Sequence, residues 1–217
     1  MKAVLFDLDG TLLDTERIYQ KYWKIAADEL GYELSQEQLL LFRSLGNSYA
    51  VKLAEEMTGD PLAYNRTRDR RKELMDPLME TMELPLKPYV NEALQMLKES
   101  GLKLAVATAT MKEKTEEYLS RVGLRDYFDE LVSAKNVEHG KPAPDVYLYA
   151  CDLIGVKPEE AYAVEDAPNG VRSASAAGCR TIMIPDLTDT DDELREKIVY
   201  RADNLLEAAK FILVEDK

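Results

Sequence analysis

Ala3-Val4-Leu5-Phe6-Asp7-Leu8-Asp9-Gly10-Thr11 is the stretch from which the rest of the chain is read. Its first four residues form a short continuous apolar run, the pattern of a strand buried on both faces. The run stops at a carboxylate. A second carboxylate follows two residues on, and then a glycine that lets the backbone turn sharply. Similar runs recur at Leu104-Ala105-Val106-Ala107, Tyr162-Ala163-Val164 and Thr181-Ile182-Met183-Ile184, with a weaker one at Leu131-Val132. Helical spacing fills the segments between them. Val90, Ala93, Leu94 and Leu97 repeat at i, i+3, i+4, i+7 ahead of Gly101, and Tyr118, Leu119 and Val122 precede Gly123. Strands alternating with helices predict an α/β fold, a Rossmann-like, doubly wound parallel sheet with helices on both faces.

Residues 14 to 86 break this rhythm. They contain no clear strand and read as several helices, with breaks near Gly31, Gly46 and Gly59-Asp60-Pro61. Asp14-Thr15 and Leu84-Pro85-Leu86-Lys87-Pro88 bracket them. The expected organisation is a core of residues 1–14 and 87–217, with an all-helical unit, 15–86, inserted after the first strand.

Composition narrows the function. The chain has 217 residues, 46% hydrophobic and 32% charged, enough apolar material for a real core. Asp and Glu number 41 against 28 Lys and Arg, a formal net charge of −13. Such a surface repels nucleic acid and anionic lipid, so neither nucleic acid nor a membrane is an expected partner. An anionic substrate would need a strong local cationic site. Cys151 and Cys179 form no C-x-x-C pair and are expected to be buried thiols. Asp7 and Asp9 interrupt the first apolar segment, which argues against a signal peptide. No run approaches the ~20 residues that span a bilayer. A cytoplasmic protein is expected, with a monomer as the default.

An open α/β sheet binds ligands at the carboxyl ends of its strands. Those ends carry Asp7-Leu8-Asp9, Thr108-Ala109-Thr110, Lys141 and Glu165-Asp166. Carboxylates this crowded need a cation between them or must be partly protonated. Hard oxygen ligands suit Mg²⁺, and the single histidine, His139, argues against zinc. A bound Mg²⁺ would also neutralise a phosphate that the carboxylates otherwise repel. Asp7 could attack phosphorus, and Asp9 could protonate the leaving alkoxide and then activate water. Thr108, the backbone amide of Ala109 and Lys141 could hold the phosphoryl oxygens.

Asp7-Leu8-Asp9-Gly10-Thr11 resembles the D-x-D-G-T motif of the haloacid dehalogenase superfamily. Thr108, Gly140-Lys141-Pro142-Ala143-Pro144-Asp145, and Val164-Glu165-Asp166 with Asn169-Gly170 resemble its three other motifs, in order. The resemblance covers nearly the whole chain. It implies Asp7 as phosphoryl acceptor and metal ligand, and Asp9 as general acid and base with its carbonyl on Mg²⁺. Asp166 and Glu165 become further metal positions, and Leu8 joins the phosphate-binding positions. The superfamily's dehalogenases lack an acid two residues after the nucleophile, so Asp9 favours phosphoryl transfer.

The inserted helices are similar to the smaller cap of β-phosphoglucomutase and of the sugar-phosphate phosphatases around it. Tyr19, Gly46, Asn47 and one member of the basic run Arg66–Lys72, Arg70, are the substrate-facing candidates in that cap. The mutase carries a histidine where Tyr19 stands. It also has an arginine just after the cap glycine loop, and none follows Gly46-Asn47-Ser48-Tyr49 here. The expected function is therefore a Mg²⁺-dependent phosphatase acting on a small phosphorylated metabolite. The alternatives are a phosphomutase of the β-phosphoglucomutase type and, from another class, a non-catalytic binding protein on the same scaffold.

Overall fold

The computed structural model describes residues 1–215, so the last two positions of the core segment expected over 87–217 lie outside it. Its strands are β1 (Ala3–Phe6), β2 (Lys103–Thr108), β3 (Glu130–Ser133), β4 (Ala161–Glu165), β5 (Arg180–Met183) and β6 (Tyr200–Arg201). They form one sheet in the order β3-β2-β1-β4-β5-β6, parallel throughout. This is the doubly wound arrangement expected from the alternating pattern. β1 lies centrally, with Phe6 level with Val106 on one side and Val164 on the other. The register brings the residues that follow β1, β2 and β4 to one edge. β6 lacks an apolar run and was not expected. Flanking bonds from Val199 N to Thr181 O (2.8 Å) and from Ala202 N to Met183 O (2.9 Å) hold it on the sheet.

The helices are α1 (Glu16–Glu29), α2 (Gln36–Leu40), α3 (Asn47–Thr58), α4 (Ala63–Thr81), α5 (Val90–Glu99), α6 (Lys112–Arg121), α7 (Asp145–Ile154), α8 (Pro168–Ala177), α9 (Asp192–Arg195) and α10 (Leu205–Glu215). Strand side chains alternate between two cores. Val4, Phe6, Val106 and Val164 pack with Leu94 of α5, Leu119 of α6 and Ile212 of α10. Ala3, Leu5, Ala105 and Ala163 face the other way, where their small size admits Tyr147 and Ala150 of α7 and Ala174 of α8. Cys151 and Cys179 are buried free thiols, as expected.

α1 to α4 carry their own apolar cluster, in which Trp23 stacks on Phe42 at 6.0 Å and on Tyr64 at 5.5 Å. Gly59 ends α3 in the left-handed conformation that favours glycine, and Gly46 starts that helix. Met75 and Met79 of α4 join Leu8, Leu12 and Leu13 in the main core. Two segments connect the insert to the sheet, side by side. Asp14 N donates to Pro85 O at 2.8 Å, and Lys87 N to Leu12 O at 3.0 Å. Among the described residues no helix is long and apolar enough to cross a membrane.

Candidate active site

Ligands of open parallel sheets bind where the strand order reverses, here between β1 and β4. Asp7 N still pairs with Val164 O at 3.0 Å, so β1 carries its alignment one residue further and delivers the Asp7 carboxyl to that edge. Lys141, fully buried, donates to Asp7 Oδ1 and to Glu165 Oε1, each at 2.6 Å. The Tyr147 hydroxyl donates to the same Glu165 oxygen, and its ring centroid lies 5.3 Å from Lys141 Nζ. Burial works against the ammonium, but the Asp7 and Glu165 charges outweigh it and hold Lys141 above its ordinary pKa.

Asp9 is held differently. Thr15 Oγ1 donates to its Oδ1 and Thr110 Oγ1 to its Oδ2, each at 2.7 Å. Burial pushes the Asp9 carboxyl above the usual range. The two hydroxyls oppose that rise, and the neighbouring Asp7 charge adds to it. Two aspartates two residues apart therefore sit in environments of opposite kind, one against a cation and one between neutral hydroxyls.

Asp166 takes Thr11 Oγ1 on Oδ1 at 3.5 Å and the Arg43 guanidinium on Oδ2. Gly10 explains how the chain passes so close. It has a φ of +89°, and a Cβ there would lie 2.2 Å from Asp166 Oδ2. Gly170, at the start of α8, does the same for Glu165, where a Cβ would fall 2.0 Å from Oε2.

One carboxylate oxygen each from Asp7, Glu165 and Asp166 lie within 4.8 Å of one another. Glu165 Oε2 is buried and has no hydrogen-bond partner among the described residues. An orphaned buried oxygen beside two further carboxylates, with no nitrogen or thiol ligand, fits a hard dication such as Mg²⁺. Burial pushes Glu165 up to about 7, with Asp7 adding and Lys141 opposing, and Asp166 is raised by burial in the same way. The Asp9 carboxylate is not in this group, since its two hydroxyl partners hold both its oxygens.

Thr108 ends β2, buried, and its Oγ1 accepts from Thr110 N at 3.1 Å. The Leu8 side chain is in the core, which leaves only its backbone to face a ligand. A cavity of about 700 Å³ opens above these residues. Asp7, Asp9, Thr108 and Ala109 line it from the sheet, and Tyr19 and Asn47 from the insert. Gly46 N donates to Lys141 O at 2.6 Å, and a Cβ on Gly46 would come within 2.8 Å of Gly140 Cα. Backbone therefore meets backbone where the insert touches the lysine loop.

Arg70, expected to face a substrate from the insert, does not line the cavity. Its guanidinium turns away from the cavity to Glu29 (2.7 Å) and Glu73 (2.8 Å). Arg71, one position on, lines the cavity, 5.0 Å from the Tyr19 ring centroid and 4.6 Å from that of Trp23. The reason is helical phase. Arg68, Arg71, Lys72 and Met75 share a face of α4 at i, i+3, i+4, i+7, and Arg70 points about 100° off Arg71. Met75, apolar and four residues beyond Arg71, marks that face in the sequence itself. Arg43 was missed altogether. It is the one charged residue within 38–51, in an otherwise apolar and polar-neutral stretch.

A sequence profile of the haloacid dehalogenase-like hydrolases matches residues 4–184. The chain is 31% identical over 186 residues to a phosphorylated carbohydrates phosphatase of Thermotoga maritima, covering 84% of each chain. It is 32% identical over 183 residues to the fructose-1-phosphate phosphatase YqaB of Escherichia coli, covering 81% of this chain and 92% of that one. Among solved structures, CbbY from Rhodobacter sphaeroides in complex with phosphate superposes with a TM-score of 0.76 at 30% identity, over 95% of this chain and 96% of that one. The chain belongs to the haloacid dehalogenase-like hydrolase family.

Proposed function

We propose that this hydrolase is a Mg²⁺-dependent phosphatase of small phosphorylated carbohydrates, working through an aspartyl phosphate on Asp7. The observation that carries the reading is the contrast between the two aspartates. Lys141 pins Asp7 by one oxygen at 2.6 Å, a nucleophile fixed against a cation. Asp9, its carboxyl raised by burial, is suited to hold a proton and release it. Two relatives are named for phosphorylated carbohydrates and fructose 1-phosphate, which supports that substrate class.

In this mechanism an Asp7 oxygen forms a bond to phosphorus as the ester P–O bond breaks. Asp9 gives its proton to the departing alkoxide. Asp9, now a carboxylate, takes a proton from the water that attacks phosphorus, the bond from phosphorus to the Asp7 oxygen breaks, and inorganic phosphate leaves with the Asp7 carboxylate restored. Thr108 and the backbone amides of Leu8 and Ala109 hold the phosphoryl oxygens, and Lys141 offsets their charge. Asp7, Asp166, Glu165 and the Asp9 carbonyl would hold Mg²⁺, whose chemistry here is to neutralise and orient the phosphoryl group. Residues 15–86 act as a cap over a core of 1–14 and 87–217, with Tyr19, Gly46, Asn47 and Arg71 facing the substrate. The paired connecting segments at 12–14 and 85–87 serve as the hinge.

The test is phosphate release from a panel of sugar, polyol and nucleotide phosphates, with and without Mg²⁺, for the wild type and Asp7→Asn. Release that needs Mg²⁺ and falls at least about 10⁴-fold in the variant is expected. Substantial turnover by Asp7→Asn would show the nucleophile to be misassigned. Isomerisation of a hexose phosphate without net phosphate release would replace the phosphatase with a mutase.

A further inference from the structure

Arg43 lies between α2 and α3, only 3% exposed, and crosses from the cap into the core. Besides Asp166 Oδ2, its guanidinium donates to Glu16 Oε2 at 3.2 Å and to Thr188 Oγ1 at 3.3 Å, and Asp186 Oδ2 lies 4.0 Å away. Its main chain is tied down as well. Asn169 Nδ2, on α8, donates to Arg43 O at 2.9 Å and to Leu41 O at 3.2 Å. Lys141 is committed to Asp7 and Glu165, so the guanidinium is the cation hydrogen-bonded to Asp166 among the described residues.

A fully buried carboxylate left without a counter-charge is unfavourable. Within the protein, Arg43 supplies that counter-charge at Asp166. A guanidinium does not lose its proton in a protein, so it cannot remove the conflict by deprotonating when a dication takes the same carboxylate. A guanidinium that stays in place then sets its positive charge beside the dication on one carboxylate. We propose that Arg43 is a charge placeholder that neutralises Asp166 in the cation-free enzyme and is displaced from it, or weakens the ion's hold, when a divalent cation binds. The inference rests on the metal reading of the acidic site given above. Since Arg43 belongs to the cap, docking of its loop and binding of the cation then oppose each other, and by linkage the effect is reciprocal.

The opposite role is physically possible, and the sign of one measurement separates them. A partner that merely orients a ligating carboxylate supports the metal, and its loss weakens binding about 10–100-fold. A placeholder competes, and its loss tightens binding. The experiment titrates metal-free protein with Mn²⁺, without substrate, and follows free Mn²⁺ by electron paramagnetic resonance. Arg43→Gln is expected to bind Mn²⁺ about 5–150-fold more tightly than wild type, the usual span of coupling between sites. If Arg43→Gln does not fold, Asn169→Ala loosens the loop and leaves the guanidinium in place, and it carries the same direction of change. Saturable binding that is equal or weaker in the variant overturns the placeholder and leaves the metal site standing. Absence of saturable Mn²⁺ binding in wild type and variant alike overturns both.

Discussion

The sheet edge and the cap wall that faces it across the cavity hold their charges in opposite ways. At the sheet edge the central cation is satisfied within the protein, with Lys141 2.6 Å from both Asp7 and Glu165. On the cap wall Arg71 rests against the rings of Tyr19 and Trp23, and its buried Nε has no hydrogen-bond partner among the described residues. A cation paired internally fixes geometry. One held over aromatic faces keeps its charge in place and leaves its donors for something else. Under the proposed function, this contrast puts the chemistry at the sheet edge and the substrate contact on the inserted helices.

The largest effect after loss of the nucleophile tests the sheet side. Asp9→Asn removes the proton that Asp9 donates and keeps a side chain of the same shape. It is expected to lower kcat about 10²–10⁴-fold, the range for positioned proton transfer. A phenyl phosphate ester, whose leaving group is far less basic than an alkoxide, should lose less than an alkyl ester does. Steady-state rates on the two esters check this. An equal loss on both would move the effect from protonation of the leaving group to the step the two esters share, attack of water on the aspartyl phosphate.

The cap side is tested by adjacent arginines. Arg71→Gln is expected to lower kcat/KM about 10–100-fold, the worth of one hydrogen bond to a charged group. Arg70→Gln breaks only exposed pairs with Glu29 and Glu73 and is expected to change kcat/KM less than about 2-fold. Equal effects from the two, measured on the best substrate of the panel, would erase the distinction drawn from helical phase.

That pair also shows why one half of the site was more legible than the other. Asp7, Thr108 and Glu165-Asp166 were found because a parallel sheet sends the ends of its apolar runs to one edge, a rule of backbone topology that needs no side-chain geometry. The cap has no such rule. Its contacts depend on the phase of α4, which a choice of Arg70 over Arg71 misses by one residue. They depend also on a turn, where periodicity says nothing. Arg43 sits in such a turn, and only its isolation as a charge within 38–51 marked it. β6 was invisible for a related reason, since two residues are too short to show alternation and its bonds to β5 make it a strand.

The smallest effect sharpens the comparison from the side of stability. In the cation-free protein burial pushes Glu165 and Glu16 up to about 7 each, from an ordinary 4.5. A carboxyl with a raised folded-state pKa favours folding most when protonated. Its contribution is therefore intact below about 4.5 and is lost as pH rises through about 7. Metal-free protein is accordingly expected to melt lower at pH 8 than at pH 5.5, by on the order of 5 °C, given about 2–4 °C per kcal/mol for a chain of this size. Excess Mg²⁺ should flatten the slope, because an ion that ligates deprotonated carboxylates stabilises the form that high pH produces. Thermal melts across that window, with chelator and with Mg²⁺, check both statements. A Tm that rises with pH in chelator would mean that the internal cations already keep these carboxylates ionised. The sheet edge would then be self-sufficient, with no charge left over for a metal to settle.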